Sequence, residues 1–406
     1  MKKGICVMIC VFMLSILVTG CEIEDIISNE SFDQNQITTD VVDSNSDFAF
    51  DIFKKLNEDD SEENVFISPL SISTALSMTM QGAGSTTLEG MKEALKYDGK
   101  DIKDINETYK NLLLYLNHVD KKIDLDINNS IWIREGEDIK ENFQKINKDI
   151  FNAYITQLDF SKDDAADKIN GWIADSTNDK IKKMIDPPID PNIVMYLINA
   201  IYFKGEWANQ FEKDDTFNAE FNTGFGTKKE IDMMSKKSEV EYGQRDDYQA
   251  VRLPYGNGNT SMYCILPSEN ISINEFIQDL NKDKWKDIRE SISKKEDVIV
   301  NIPRFKMEYG IKNLNDTLIS MGMEEAFSGG ADFSGMREGL FIDEVLHKAV
   351  IEVNEEGSEA AGATVVVMRE SAMAEPISFI ADRPFVFLIT DDTTGTILFM
   401  GKLYNP

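Results

Sequence analysis

Apolar positions along this chain recur with two periods, and each period predicts an element. From Asp47 to Leu56 the apolar residues Phe48, Ile52, Phe53 and Leu56 lie one helical turn apart, which predicts an amphipathic helix. Ala166 to Ile181 repeats that spacing through Ile169, Trp172 and Ile173 and ends in polar residues. By contrast, Val194 to Phe203 is almost continuously apolar, as a strand covered on both faces would be. Ser261 to Leu266 is a second run of that kind. Phe385 to Ile389 and Thr396 to Met400 flank Asp391-Asp392-Thr393-Thr394-Gly395, which predicts a hairpin. Alternating charges from Asn281 to Asp297 predict a surface helix. Helix and strand signals interleave without an internal repeat or a Pro/Gly linker after residue 46. This predicts one α+β domain whose sheets gather distant parts of the sequence.

One segment fits neither period cleanly. Glu355 to Pro376, EEGSEAAGATVVVMRESAMAEP, opens with charge and glycine, passes through small residues into three valines, and ends at a proline. Small residues fit a crowded sheet, β-branched ones favour strand, and glycine eases a change of backbone conformation. The segment reads as an exposed loop that can become a strand.

The first twenty residues look like a processing signal. Lys2 and Lys3 precede an apolar run from Ile5 to Val18, too short to span a bilayer comfortably. Val18-Thr19-Gly20-Cys21 resembles a lipobox, so residues 1–20 are expected to be removed and Cys21 to carry lipid; a plain secretory signal is the alternative. Residues 21–45 are rich in Asp, Glu, Asn, Ser and Thr and are expected to form a flexible tether, followed by a folded domain over 46–406. This places the protein outside the cytoplasm, anchored at the cell surface or envelope. Such processing would remove Cys6 and Cys10, leaving Cys264 as the domain's lone thiol. With 42 basic against 72 acidic side chains the net charge is −30, which argues against nucleic acid as a partner.

The inventory for catalysis is thin. The two histidines, His118 and His347, accompany no cysteine cluster, so no metal or other cofactor is expected. Gly82-Ala83-Gly84 lacks the Gly-Lys-Ser that completes a phosphate loop, and no serine stands in a nucleophile-elbow context. His347 sits among Val345, Leu346, Ala349 and Val350, the setting of a buried structural histidine. The expectation is a protein that is not an enzyme.

Several long blocks, in order from about residue 46 to the end, resemble the serpins, the serine protease inhibitor family. They are NVFISPLSISTALSMTMQGA from Asn64, LINAIYFKGEW ending at Trp207, IPRFKMEYG from Ile302, IDEVLHKAVIEVNEEGSEA from Ile342, FIADRPFVFLI from Phe379, and the terminal LFMGKLYNP. Together with the lipobox, the resemblance is to a prokaryotic member. It implies three β-sheets surrounded by eight or nine helices, with an exposed reactive-centre loop over about 357–376. It also implies a monomer whose partner is a target serine protease, held in a covalent complex after cleavage of the loop.

The resemblance assigns roles to particular residues. Gly357, Ser358, Glu359, Ala360, Ala361, Gly362 and Ala363 match the hinge that enters the central sheet. With a period of two, Ser358, Ala360, Gly362, Thr364, Val366 and Met368 face inward, and none is charged or proline. A mobile loop in a non-inhibitory relative that binds or serves a structural role is the competing reading. The reactive bond maps to Ser371-Ala372, fourteen residues past Gly357, and Ser371 suits elastase-like or subtilisin-like pockets. Arg369-Glu370 would suit trypsin-like enzymes, Met368-Arg369 chymotrypsin-like ones, and cysteine proteases are a further alternative. His347 is implied to lie beneath the central sheet with Ser68, Ser71 and Asn199. Trp207, Arg304 and Glu355 are implied to stand where the loop first enters.

Overall fold

In the computed structural model, residues 32–358 and 377–406 are described. From the amino end, α1 (Thr39–Asp59) leads to a short strand β1 (Val65–Ile67) and the helices α2 (Pro69–Met80), α3 (Ser85–Ala94) and α4 (Ile102–Leu116). Then come β2 (Ile123–Arg134), α5 (Glu141–Phe151), β3 (Tyr154–Leu158), α6 (Ala165–Ser176) and β4 (Met195–Glu206). Four strands follow, β5 (Phe217–Asn222), β6 (Lys228–Gln244), β7 (Tyr248–Tyr255) and β8 (Thr260–Pro267), with helices α7 (Ile273–Asp279) and α8 (Lys282–Ser291) after them. The last third holds β9 (Ser293–Pro303), β10 (Phe305–Asn313), α9 (Asn315–Leu318), β11 (Leu346–Val353), β12 (Gly357–Ser358), β13 (Ser378–Ile380), β14 (Phe385–Asp391) and β15 (Thr396–Leu403).

Local chemistry explains several boundaries. Pro69 fits the first turn of α2, where its missing N–H costs nothing, and the Ser68 hydroxyl caps the helix by accepting from the Ser71 amide at 3.2 Å. Ser272 and Glu275 form a reciprocal capping box that starts α7. In β2, Ile123, Leu125 and Ile127 point inward while Asp124 and Asp126 are exposed, the alternation of a strand covered on one face. Every residue of β8, β14 and β15 is buried, which fits their unbroken apolar runs.

The strands form three sheets, and nine α-helices surround them among the described residues. The largest runs β1-β15-β14-β8-β7-β6-β9-β13, with β5 also on β6. The predicted hairpin is there: β14 and β15 pair antiparallel from Phe385↔Leu403 to Asp391↔Thr396. A second sheet has the order β12-β4-β2-β3, and a third consists of β10 and β11. The aromatic rings of Phe66, Phe387 and Phe399 stack in the core between these layers, with centroids 5.8 Å and 5.4 Å from Phe66.

Three sequence expectations need correction. The helix expected from Asp47 begins at Thr39, so the end of the segment assigned to the tether over 21–45 is folded. Val41 and Val42 are buried there, the Ser44 hydroxyl bonds the Lys96 carbonyl, and Asn45 accepts from the Tyr97 phenol. The surface helix expected over Asn281–Asp297 stops at Ser291, and Ser293 to Asp297 open β9 instead. Cross-strand pairing with β6, such as Lys294↔Glu241, holds this exposed, charged stretch extended. Finally, Gly357 and Ser358 are buried in a sheet rather than exposed at the base of a loop.

β4 and β11 belong to separate sheets, and no ladder pair joins them among the described residues. Between them lies a cavity of about 580 Å³, floored by α2 and walled by residues such as Leu76, Ile185, Leu197, Asn199, Phe341 and His347. Further along β4, β12 pairs antiparallel with it, Gly357 opposite Glu206 and Ser358 opposite Gly205.

Candidate functional site

A tight turn joins β11 to β12 where β12 meets β4. The Asn354 amide donates to the Gly357 carbonyl at 2.9 Å, and the Gly357 amide returns to the Asn354 carbonyl at 3.2 Å, folding β12 back beside β11. Gly357 is required on two counts. Its φ is 153°, and a Cβ there would lie 2.0 Å from the Gly205 carbonyl oxygen. On the other side of Ser358 a Cβ on Gly205 would strike the Tyr255 ring at 2.9 Å. Glycine at both positions lets two backbones and an aromatic ring crowd together.

Ser358 is 2% exposed, and its hydroxyl lies 2.8 Å from the Tyr255 hydroxyl. Tyr255 ends β7 and is fully buried, stacked on Trp207 with centroids 4.4 Å apart and planes 10° apart. Burial pushes its phenol well above the usual range, so it remains a neutral hydrogen-bonding group. Trp207 in turn donates its indole N–H to the Asn354 carbonyl at 2.9 Å and its amide to the Glu356 carbonyl at 2.9 Å. The turn is therefore held by side chain and backbone from outside the loop.

Carboxylates fix the turn to the body. Glu355 is 2% exposed; Arg304 grips it through both Nε and Nη2, and Thr216 donates to it at 2.6 Å. Arg304 also reaches Asp232 at 3.0 Å. Burial raises the Glu355 carboxyl's pKa, but the bonds from Arg304 and Thr216 outweigh it and hold the group below its ordinary value. Glu356, also buried, pairs with Lys213.

Deeper in the slot lies a polar cluster under the sheet. The Ser68 amide donates to His347 Nε2 at 3.2 Å, while the Ser68 hydroxyl donates to the Leu398 carbonyl at 2.7 Å. An accepting Nε2 places the imidazole proton on Nδ1. His347 is 4% exposed, and burial lowers its pKa to about 4, so it is neutral. Asn199 is not hydrogen-bonded to this group, contrary to the sequence expectation. Its amide donates to Asn129 at 2.7 Å, and Asn129 passes the chain on to the Phe151 carbonyl. The reason lies in the separation of β4 from β11: Asn199 and His347 face one cavity from opposite walls.

Sequence reasoning missed Tyr255, Asn354, Thr216 and Asn129. Asn354 stands in a family-like block without a role assigned to it, and the other three sit in no recognisable motif; each acts across more than fifty residues of sequence or through a turn. Ser371, Ala372, Arg369, Met368, the hinge residues Glu359, Ala360, Ala361, Gly362 and Ala363, and Cys21 lie outside the described residues.

Comparison with known proteins bears on this architecture. The family model for Serpin (serine protease inhibitor) matches residues 43–406. The chain belongs to the serpin family. An uncharacterized serpin-like protein of Methanosarcina acetivorans is 35% identical over 422 residues, covering 98% of this chain and 97% of the relative. The leukocyte elastase inhibitor of Xenopus laevis is 34% identical over 372 residues, covering 88% of this chain and 97% of that protein. Among solved structures, the thermophilic serpin tengpin in its native state superposes with a TM-score of 0.82 at 33% identity, covering 94% and 96% of the two chains. Human thyroxine-binding globulin superposes with a TM-score of 0.81 at 28% identity, covering 91% of this serpin and 100% of that chain. The family is one of inhibitors far more than of catalysts, and it implies proteases as partners.

Proposed function

We propose that this serpin is a suicide-substrate inhibitor of serine proteases whose main specificity pocket takes a small side chain. One observation carries the reading: β4 and β11 face each other across a cavity with no ladder pair between them among the described residues, and the first residue of the arm already pairs with β4. The residues that follow Ser358 on the inward face, Ala360, Gly362, Thr364, Val366 and Met368, are uncharged and free of proline. Such an arm can take its place in the slot as a central strand.

In this reading a protease attacks the Ser371–Ala372 bond, its serine forms an ester with the Ser371 carbonyl, and the segment from Ala372 leaves with a free amine. The arm then zips down the slot, taking the acylated protease with it. Strain in the starting fold drives the step, and the outcome is a race between insertion and deacylation. The elastase-inhibitor relative is in keeping with a small residue at the cut.

The test is direct. The serpin is mixed with pancreatic elastase or subtilisin and run on a denaturing gel. A heavier band that survives boiling is expected. Clipping of the loop by every serine and cysteine protease tried, with no such band, refutes inhibition and leaves a binding or structural role.

A further inference from the structure

We infer that Tyr255 is a positioning residue for strand insertion: its hydroxyl holds Ser358 docked in the sheet before any protease arrives, so that insertion starts from a formed nucleus. The consequence for inhibition rests on the reading proposed above; the docking itself does not.

Three independent features converge on this contact. The Ser358 hydroxyl is buried, and its hydrogen bond to Tyr255 crosses from the four-stranded sheet to the nine-stranded one. Two glycines, Gly205 and Gly357, leave the room that Tyr255 and the incoming backbone occupy. Trp207 both stacks on Tyr255 and bonds the Asn354 carbonyl of the turn, so the ring and the turn are fixed by one side chain. Tyr255 is thus a fixed post rather than part of the moving arm.

The kinetic consequence follows from how a strand grows. The first ladder pair fixes several backbone dihedrals for little return, and later pairs add one after another. Here that first pair, Ser358 with Gly205, already exists. Inserting the arm then requires propagation alone. Undocking Ser358 restores the nucleation step and lengthens the interval in which the acyl-enzyme can hydrolyse.

The experiment compares wild type with Tyr255→Phe, which keeps the stacked ring and removes only the hydroxyl. Amide hydrogen exchange of the peptide spanning residues 354–358 is measured on the intact protein without protease. Loss of a buried hydrogen bond is expected to speed exchange there by about tenfold, with peptides of β8 and β14 unchanged. Ser358→Ala should have the same effect, and the double variant should add nothing to either single change. Ser358→Thr, which retains the hydroxyl, should restore slow exchange. With elastase or subtilisin, Tyr255→Phe should raise the stoichiometry of inhibition several-fold while the rate of initial association is not slowed. Unchanged exchange in Tyr255→Phe, or additive effects in the double variant, overturns the docking. Faster exchange with no covalent complex in either protein supports the docking and overturns the inhibitory reading instead.

Discussion

The substitution His347→Gln should remove an acid sensitivity that the slot imposes on the fold. In the native protein Nε2 accepts the Ser68 amide proton, and protonation would turn that acceptor into a donor facing a donor. Burial holds the folded pKa near about 4, against 6.5 for an exposed histidine. The unfolded chain therefore binds the proton more readily than the folded one. Stability rises with pH across this window: it is fully present above about 6.5 and is lost as pH falls toward 4. Moving from about pH 7.5 to about pH 5 should cost about 2 kcal/mol through this residue, as an order of magnitude. The introduced glutamine would place a carbonyl oxygen near the position of Nε2 and cannot titrate. The assay is the first urea transition of both proteins at the two pH values and matched ionic strength. The many carboxylates contribute equally to both, so the difference of differences isolates His347. A wild type and a variant that lose the same stability on acidification would refute the reasoning.

Three further outcomes are expected. Ser358→Arg would place an unpaired charge where a 2%-exposed serine now sits, at a cost of several kcal/mol, and should convert inhibitor to substrate; an unchanged stoichiometry of inhibition against elastase would count against it. Intact-mass analysis of the fragment released by the target protease should show a chain beginning at Ala372, whereas one beginning at Glu370 would move the target toward trypsin-like enzymes. Cys21→Ser should release the protein from the membrane fraction of its native host if Cys21 is the lipid anchor; full retention with membranes would exclude anchoring through that residue.

How legible was this molecule in its sequence? The strand β8 and the β14–β15 hairpin were read closely because burial on both faces leaves little choice of residue, whereas β4, expected to be covered on both faces, is half-buried along much of its length where it borders the cavity. The start of α1 was hidden, since Asp40, Asp43, Ser44, Asn45 and Ser46 look like solvent-facing linker. Ser44 and Asn45 in fact bond inward to the segment around Tyr97. The charged opening of β9 misled for the converse reason: pairing with β6 makes it a strand, and pairing leaves no mark in charge pattern. At the site, Arg304, Glu355 and Trp207 stand in blocks with a family likeness. Tyr255 meets Ser358 across 103 residues, and a contact of that range is set by how two sheets pack, which periodicity cannot express.

The pairing of β1 with β15 makes this edge of the nine-stranded sheet wait for a distant part of the chain. Val65 to Ile67 are made more than three hundred residues before their partners Met400 to Lys402. Until then the apolar strand β14 lacks one of its two neighbours, and the hydroxyl of Ser68 lacks the Leu398 carbonyl. β12, by contrast, is made before β13, β14 and β15. It pairs with β4, whereas β13 pairs with β9 in the other sheet. The order of translation thus leaves an interval in which β12 can dock on β4 before β13 is available to pair with β9.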